Sequence, residues 1–292
     1  MDTKKLSVLE KTVELASLSK AGEELGMTQS GVSHVIAALE EELGVSLLTR
    51  TRAGARLTPE GEKLMPYIRG VLGSERQLEE ATAALRGLEM GTVRVATFTS
   101  VAVHWLPEMI KNFQLQYPNI EFRLHNGDYK DVDQWLADGS ADIGFIALPT
   151  SLSCEVVPLL EDRLLAIVPK EHRLAALDRV PVEELAHEPF ISLLDGSDND
   201  ARRAIAAANI RLNVKFTTKD DYAILAMVEH GLGVSIVPEL LMEGQRQNFA
   251  ARELVPPASR TIALAMPGDR AAAPSVVRFA EYVKAWVDEH YH

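Results

Sequence analysis

A cluster of polar side chains near residue 30 has the chemistry to contact the edges of nucleic-acid bases. Thr28, Gln29, Ser30, Ser33 and His34 all carry short or flat hydrogen-bonding groups. Glutamine bonds adenine through two hydrogen bonds, and serine and histidine reach base edges or phosphates. The alternative interpretation of these residues is the polar surface of a helix that contacts only solvent.

A basic interval follows this cluster. Between Glu42 and Glu60 the chain has no acidic residue and carries Arg50, Arg52 and Arg56. A local group of cations on an otherwise anionic chain is what a loop that contacts phosphates needs. From these residues alone, a solvated turn whose arginines pair with nearby glutamates explains the interval equally well.

Three short helices and two extended segments are predicted to position these side chains. Ser19 and Thr28 are candidate N-caps of the second and third helix, while Gly26 and Gly44 suit left-handed positions after their C-termini. A short helix, a turn and a helix with a polar N-terminal face are typical of a helix-turn-helix whose second helix enters the major groove. Extended pieces on both sides of Gly54 would form a wing that places the arginines beside phosphates.

These residues also carry a family resemblance. The first sixty residues resemble the winged helix-turn-helix of LysR-type transcriptional regulators. The matching positions are Ser17 to Ala21, Leu25-Gly26, Gln29, Val32-Ser33, Ile36, Leu39-Glu40, Leu43-Gly44, Leu47, Arg50, Leu57-Thr58 and Gly61. The resemblance implies DNA contact by Thr28, Gln29, Ser30, Ser33, His34, Arg50, Arg52 and Arg56. The chain departs from the family pattern at Ser30-Gly31, where Pro-Ala is common, at His34, where Arg is frequent, and at Leu48, where Phe is frequent. A histidine is mostly neutral at pH 7, so the base preference at that position does not carry over.

A long helix is predicted after the wing, beginning with Thr58 as N-cap and Pro59 in the first turn. Apolar residues then repeat every seven positions, which is the spacing of a seam for a second helix. The repeat consists of Leu64, Val71, Leu78 and Leu85. The family resemblance favours a dimerisation helix, and the alternative is a helix that packs on its own domain.

Strands and helices alternate through the rest of the chain, which predicts parallel βαβ units in two lobes that enclose a ligand. The predicted fold class is therefore α/β, with an N-terminal winged helix-turn-helix, a long linker helix and a C-terminal two-lobed α/β clamshell. The resemblance to the LysR effector domain, which is similar to periplasmic binding proteins, rests on Gly139 to Gly144, Pro158-Leu159 and Gly231 to Pro238. We expect a DNA-binding domain at 1–58, a linker helix at 59–90 and an effector domain at 91–292, with lobe I at about 91–161 and 267–292 and lobe II at about 162–266.

A hydroxyl pair at the end of the first strand of this part is the main candidate for ligand contact. Thr99 and Ser100 precede a predicted helix, whose free N–H groups and partial positive charge favour a carboxylate or another anion. The alternative is plain N-capping. The resemblance places further effector contacts near Asn126, Asp128, Leu148, Leu194, Ser197, Thr218 and Ile236, although ordinary loop or core packing also explains these later positions. Asp128 disfavours an anion beside it, so a zwitterionic or polar effector is a second option.

Composition excludes several classes of protein. The chain has 292 residues, 42 acidic against 30 basic side chains, a net charge of −12 and 47% hydrophobic residues. It is therefore long enough for two or three folded domains and is not globally basic. One cysteine, Cys154, rules out an intrachain disulfide, and the sequence shows neither an apolar run that could span a membrane nor a signal peptide. We expect a cytoplasmic protein.

The sequence thus predicts a DNA-binding transcriptional regulator that responds to a small-molecule effector between the two lobes. Expected partners are double-stranded promoter DNA, the effector, a second copy of the chain in a dimer or, by family likeness, a tetramer, and RNA polymerase. No cofactor, metal site or catalytic constellation is expected. A binding protein for solute uptake and an enzyme are the alternatives, and the helix-turn-helix and the absence of catalytic motifs count against them.

Overall fold

The computed structural model describes residues 2–51, 54–86, 89–194, 200–206, 210–244, 247–268 and 272–291. Arg52 and Ser197, two of the predicted contact residues, lie outside these ranges. The chain divides into two compact units, Met1–Gly91 with Ala137–Ser140, and Thr92–Leu136 with Ala141–His292. None of the helices within the described ranges combines the length and apolar character that a membrane crossing requires.

The first unit is a bundle of helices with a two-stranded wing. Its elements are α1 (Thr3–Glu14), α2 (Leu18–Leu25), α3 (Gln29–Leu43), β1 (Leu48–Thr51), β2 (Gly54–Leu57) and α4 (Pro59–Leu85). Its core consists of side chains that are at most 6% exposed, namely Leu6, Val8, Leu9, Val32, Ile36, Leu39, Leu47, Met65, Ile68 and Leu72. Because α1, α3 and α4 each contribute one apolar face to this core, the opposite face of α3 is left toward solvent.

Local capping signals determine where these helices begin and end. The Thr28 hydroxyl accepts a hydrogen bond from the backbone N–H of Gly31 at 3.1 Å, as predicted. Gly26 and Gly44 take left-handed backbone angles, with φ of 66° and 70°. The prediction for α2 was wrong by two residues, since Ser17 and not Ser19 is its N-cap. Ser17 has the extended backbone that a cap needs, and its side chain accepts from the N–H of Lys20.

The long helix α4 begins as expected. Thr58 caps it through the N–H of Gly61 at 2.9 Å, and Pro59 occupies the first turn. The helix is continuous through Pro66 to Leu85. Its first half contributes Met65, Ile68 and Leu72 to the core of the first unit, while its second half extends beyond that core.

The second unit is a mixed α/β structure. Its strands are β3 (Met90–Thr97), β4 (Asn119–Asn126), β5 (Ile143–Leu148), β6 (Cys154–Pro169), β7 (Arg179–Pro181), β8 (Pro189–Leu193), β9 (Asn213–Thr218), β10 (Ser235–Pro238) and β11 (Phe249–Pro267). Its helices are α5 (Thr99–His104), α6 (Leu106–Gln116), α7 (Tyr129–Ala137), α8 (Asp200–Ala206), α9 (Asp221–Glu229) and α10 (Pro274–Tyr291). Short 3-10 turns lie at Arg173–Ala176, Val182–His187 and Glu239–Met242.

The prediction of parallel βαβ units holds for β3–β5 and for β8–β9 but is wrong for the long strands β6 and β11. The main sheet of the described residues has the order β10-β6-β11-β5-β3-β4, with β7 beside β11. The pairs β6–β11, β5–β11 and β6–β10 are antiparallel, and β3–β5, β7–β11 and the separate pair β8–β9 are parallel. The cause is that β6 and β11 are long strands that run side by side in opposite directions, from Phe249 opposite Pro169 to Pro267 opposite Cys154.

Two groups of buried side chains flank these two long strands. One surrounds Trp105, Phe113, Phe145 and Phe279 and is built mainly from β3, β5, α5, α6 and α10, with residues of β6 and β11. The other comprises clusters around Phe190, in which Val168 and Val234 are buried, and around Ile167 and Val228. β6 and β11 contribute to both groups, as the two crossings between lobes in the predicted clamshell would.

Candidate functional site

The N-terminal end of α3 presents a polar surface. Thr28, Gln29, Ser30 and His34 are exposed, and Ser33 is half-buried. The hydroxyls of Thr28 and Ser30 lie 3.0 Å apart, and the Thr28 hydroxyl also caps α3. Thr28 therefore stabilises the start of α3 as its N-cap. The exposed side chains of Gln29 and His34 have the length needed to reach base edges.

The wing is held against the turn that follows α1. The backbone N–H of Ala55 donates to the carbonyl of Ala16 at 2.9 Å. Gly54 lies so close to this carbonyl that a Cβ atom there would stand 2.3 Å from the Ala16 oxygen. With Thr49 opposite Arg56 in the β1–β2 ladder, the exposed Arg56 is fixed on the wing, and the backbone of Arg50 lies opposite Ala55.

Glu40 ties the wing to α3, a role that the sequence interpretation missed. Its carboxylate accepts hydrogen bonds from the backbone N–H groups of Leu47 and Leu48 at 2.6 and 3.1 Å. The Thr58 hydroxyl adds a bond to the Ser46 carbonyl at 2.7 Å. Together these bonds hold the base of the wing beside the C-terminal half of α3.

A cavity of about 280 Å³ opens in the second unit where several strands end. The predicted contact residues Thr99, Ser100, Asn126 and Asp128 all line it, and they follow or end β3 and β4. The other lining residues are Phe98, Gly127, Tyr129, Asp131, Leu193, Lys219, Asp221, Pro238, Leu241 and Arg260, several of which follow or end β8, β9 and β10. The carboxyl ends of strands from both sides of the unit thus converge on one site, as in other α/β binding folds.

Arg260 is the centre of the cavity's polar network and was not predicted. Its guanidinium donates to the hydroxyls of Ser100 and Tyr129, each at 2.6 Å, and forms an ion pair with Asp162 at 2.7 Å. A second carboxylate, that of Asp200, lies 3.6 Å away. The residue is 3% exposed and stands on β11, so that it joins groups from both sides of the cavity.

The hydroxyls of Thr99 and Ser100 are not helix caps. The N-cap of α5 is Phe98, and no side chain caps that helix. Ser100 accepts from Arg260, and Thr99 donates to the carboxylate of Asp221. Burial raises the pKa of Asp221 above its ordinary value, and the hydrogen bond from Thr99 and the charge of Arg260 partly oppose this rise. Both hydroxyls therefore belong to a network of charged groups in the cavity wall.

Four other predicted contact residues lie near the cavity without lining it. Leu148 ends β5, and its carbonyl accepts from Arg203 at 3.1 Å. The N–H of Leu194 donates to the carbonyl of Thr218 at 2.8 Å, which joins the ends of β8 and β9. Ile236 is 5% exposed and belongs to the apolar core, and the neighbouring Pro238 contributes to the cavity instead.

The seven-residue repeat on α4 divides into two parts. Leu64 is partly buried against the core of the first unit. Val71, Leu78 and Leu85 are 40%, 70% and 90% exposed. The alternative, that the whole helix packs on its own domain, is therefore wrong for the second half of the repeat. In the single chain, these three side chains form an apolar edge that is exposed to solvent.

Comparison with known proteins decides the family. Residues 3–62 match the bacterial regulatory helix-turn-helix protein family of lysR type, and residues 86–288 match the LysR substrate binding domain. The chain belongs to the LysR family. It is a DNA-binding transcriptional regulator with an effector-binding domain, and its α3 surface and its cavity lie in the two matched segments.

Similar proteins extend over the whole length of this LysR-type regulator. An uncharacterized HTH-type transcriptional regulator of Bacillus subtilis, YvbU, is 33% identical over 97% of this chain and 98% of its own. Full-length OxyR of Pseudomonas aeruginosa has a TM-score of 0.79 at 23% identity and covers 98% of this chain and 94% of its own. CbnR, solved with its target DNA, has a TM-score of 0.67 at 22% identity over 98% of this chain and 99% of its own.

Proposed function

We propose that this regulator reads a specific promoter sequence through α3 and the wing, and that a small molecule in the 280 Å³ cavity changes that reading. The observation that carries the proposal is the convergence of strand ends from both sides of the second unit on one cavity. A ligand that contacts both sides favours the conformation in which they are closed around it, and differential affinity of this kind is what shifts a conformational equilibrium.

The assignment of DNA contacts follows from the first unit. Gln29, Ser33 and His34 are proposed to read bases, while Thr28 and Ser30 fix the start of α3 and contact phosphate. Arg56 and, from the sequence pattern, Arg50 and Arg52 are proposed to bind phosphates beside the major groove. The structure of CbnR with its target DNA supports a DNA complex for a protein of this fold.

The chemistry of the cavity favours an effector that carries a carboxylate together with a polar or cationic group. Lys219 is exposed at the cavity and forms no ion pair with any described residue. Asp128 and Asp131 line the same cavity, and both accept backbone N–H bonds at the start of α7. A carboxylate would bind at Lys219 and the hydroxyls of Thr99 and Ser100, with Thr99 turning its single proton from Asp221 to the ligand, whereas an ammonium or hydroxyl group would face the aspartates.

Assembly is a further part of the proposal. The exposed edge of Val71, Leu78 and Leu85 would pair with the same edge of a second chain, and contacts between effector domains would extend the dimer to a tetramer. Contact with RNA polymerase and a cytoplasmic location complete the proposal, since promoter DNA and its polymerase are found there. No cofactor takes part in it, and the chain acts by binding and not by catalysis.

Selection from a pool of random duplex DNA tests the DNA-binding part of the proposal. The immobilised full chain should enrich one sequence made of two related half-sites, because a symmetric dimer presents two copies of α3. A pool that remains random after repeated selection would contradict it.

A thermal-shift screen of the full chain tests the effector part. Amino acids, hydroxy acids and dicarboxylic acids are suitable probes, since a ligand at 100 times its Kd adds ~2.7 kcal/mol to the stability of the folded state. Affinity for a compound found in this way should fall about tenfold or more in the double variant Thr99→Val, Ser100→Ala, since each charge-assisted bond is worth ~1.5–3 kcal/mol. DNA binding without the compound should remain.

Thr217→Val is the matched control for this double variant, since Thr217 is exposed on β9 and is not part of the cavity lining. A double variant with unchanged affinity would place the ligand elsewhere in the second unit. Loss of DNA binding in the double variant would show that the two hydroxyls serve the fold and not the ligand.

A further inference from the structure

A second cavity lies on the other side of Asp162. It has a volume of about 440 Å³ and is formed by β6, the turn at Glu239–Met242, β11 and the end of α10. Its floor is apolar, with Leu165 and Met242 among its residues, and four carboxylates stand around it. These carboxylates belong to Glu161, Asp162, Glu239 and Glu243.

Two of the four carboxylates have cationic partners. Asp162 pairs with Arg260 at 2.7 Å, and Glu239 pairs with Arg163 at 2.6 Å. Arg163 also pairs with a further glutamate, Glu253, at 2.7 Å, so its charge is shared between two acids.

The other two carboxylates are bonded only to neutral donors within the described part of the chain. Glu161 accepts from the Ser259 hydroxyl at 2.6 Å, and Glu243 accepts from the Tyr291 hydroxyl at 2.8 Å. Burial and the charge of Glu243 raise the pKa of Tyr291, which keeps its hydroxyl protonated as a donor. Among the described residues, the cavity therefore has an apolar floor and an excess of negative charge at its edge.

One ion pair separates this second cavity from the first. The Asp162 carboxylate accepts from Nε of Arg260 at 2.9 Å and from the backbone N–H of Leu240 at 3.0 Å, and it is 4% exposed. Arg260 lines the first cavity and Asp162 lines the second. A positive charge in the second cavity would thus act on the same carboxylate that neutralises Arg260.

We propose that the second cavity binds an organic cation, a protonated primary amine attached to an apolar group. The apolar group would occupy the floor beside Leu165 and Met242, and the ammonium would lie between Glu161 and Glu243. An ammonium has three donors and so bonds both carboxylates at once. The negative edge disfavours carboxylate ligands of the same shape.

Isothermal titration of the full chain with benzylamine tests this site. Benzyl alcohol and benzoate are the matched neutral and anionic probes, and all three titrations are made at the same ionic strength because salt screens exposed charges. Benzylamine should bind at least tenfold more tightly than benzyl alcohol, and benzoate should give no binding that Glu243→Gln changes.

Variants locate the amine within the molecule. Glu243→Gln keeps the shape of an exposed side chain and removes its charge, so it should weaken benzylamine binding about tenfold, and Glu161→Gln should act in the same direction. Glu121→Gln, at an exposed position of β4 outside the cavity, is the control and should bind benzylamine as the parent chain does. Circular dichroism of each variant checks that it is folded.

Three results would overturn the proposal. Equal affinity for benzylamine and benzyl alcohol would show an apolar crevice without charge recognition. Unchanged binding in both glutamine variants would exclude the two carboxylates. Loss of binding in Asp131→Asn but not in Glu243→Gln would place the amine in the first cavity. None of these measurements uses DNA or the effector, so their outcome tests the amine site independently of the proposed function.

Discussion

Arg260 shows how one residue can serve both the fold and the ligand site. It is buried with Asp162 and Asp200 close to its guanidinium, and it also bonds Ser100 and Tyr129. Removing the cation would take the guanidinium away from the buried carboxylate of Asp162, and breaking a buried ion pair in this way typically costs ~3–5 kcal/mol of stability. Variants of Arg260 would therefore mix unfolding with loss of ligand, and the hydroxyls around it are the better positions for testing ligand contact.

Base recognition by α3 is a prediction at the level of a single side chain. Gln29→Ala should cost ~1–3 kcal/mol of binding free energy and relax the preference at one position of the DNA site, because a bidentate contact is lost. Competition between duplexes that differ at single positions measures both effects. Glu41→Ala, at an exposed position near the other end of α3, is the control. If the parent chain and Gln29→Ala rank the duplexes identically, Gln29 does not read a base.

The raised pKa of Asp221 predicts that the stability of the folded chain depends on pH. Burial raises the pKa of Asp221, and also that of Asp162, above the ordinary 3.8. At pH values between the ordinary pKa and the raised pKa, the folded chain keeps protons that the unfolded chain has released. The free energy of unfolding therefore falls as pH rises through this range. Asp221→Asn should reduce this fall, since an amide does not titrate and still accepts a bond from Thr99.

Urea unfolding from about pH 4 to pH 7 measures the slope directly, because a change in the unfolding midpoint at constant m-value reports a change in stability. Asp178→Asn, at an exposed position outside the cavity, is the control. An Asp221→Asn curve parallel to that of the parent chain would show that this carboxyl does not contribute to the slope.

At the scale of elements, the turn between α2 and α3 depends on the absence of a side chain at Gly22. A Cβ atom there would lie 2.7 Å from the Met27 carbonyl oxygen, whereas at Gly73 in α4 the nearest atom would be 3.9 Å away, at the end of Arg76. Gly22→Ala should lower the stability of the DNA-binding unit by ~1–3 kcal/mol through overpacking. Gly73→Ala, the matched control, should raise stability by up to ~1 kcal/mol through helix propensity.

Thermal unfolding of the two glycine variants under one set of conditions checks this pair of expectations. The result that would contradict the account is a Gly22→Ala chain as stable as Gly73→Ala.

The apolar edge of α4 makes a prediction about assembly. Leu78→Asp would place an unpaired charge in the seam between two helices, which costs several kcal/mol of association free energy. We expect smaller species by light scattering and weak DNA binding, with the second unit still folded. Ala83→Asp adds the same charge on about the opposite side of the helix and should assemble as the parent chain does. An unchanged oligomer in Leu78→Asp would exclude this seam.

Local signals made some elements predictable and left others hidden. The caps at Thr28 and Thr58 and the glycine at Gly26 follow from residues within one helical turn, and the structure confirms them. The full length of β11 was missed, because its register shifts between Glu253 and Ala258, where two prolines interrupt the strand pattern. The sequence therefore indicated only its second half.

The cavity was predictable only in part for a similar reason. Thr99, Ser100, Asn126 and Asp128 stand at the ends of strands that the sequence pattern shows. Arg260 reaches the cavity from within a strand and bonds residues that are distant along the chain, the Ser100 hydroxyl being 160 positions away. A single sequence contains no local signal for such a contact, so a buried ionic network of this kind becomes visible only in the folded structure.

At the scale of the whole molecule, the chain has a net charge of −12 and yet binds DNA, which is itself a polyanion. Attraction to DNA must then come from a few local cations and from the start of α3, since the overall field is repulsive. Binding should consequently depend steeply on salt, while sequence discrimination depends on the side chains of α3.

The measurement that tests the central claim most directly is the affinity of the full chain for two duplexes over a series of KCl concentrations. One duplex carries the sequence selected from the random pool, and the other has the same bases in shuffled order. The selected duplex should bind at least ~10³-fold more tightly, as specific complexes do, and both affinities should fall as salt rises. Equal affinity for the two duplexes at every salt concentration would contradict sequence-specific recognition by this regulator.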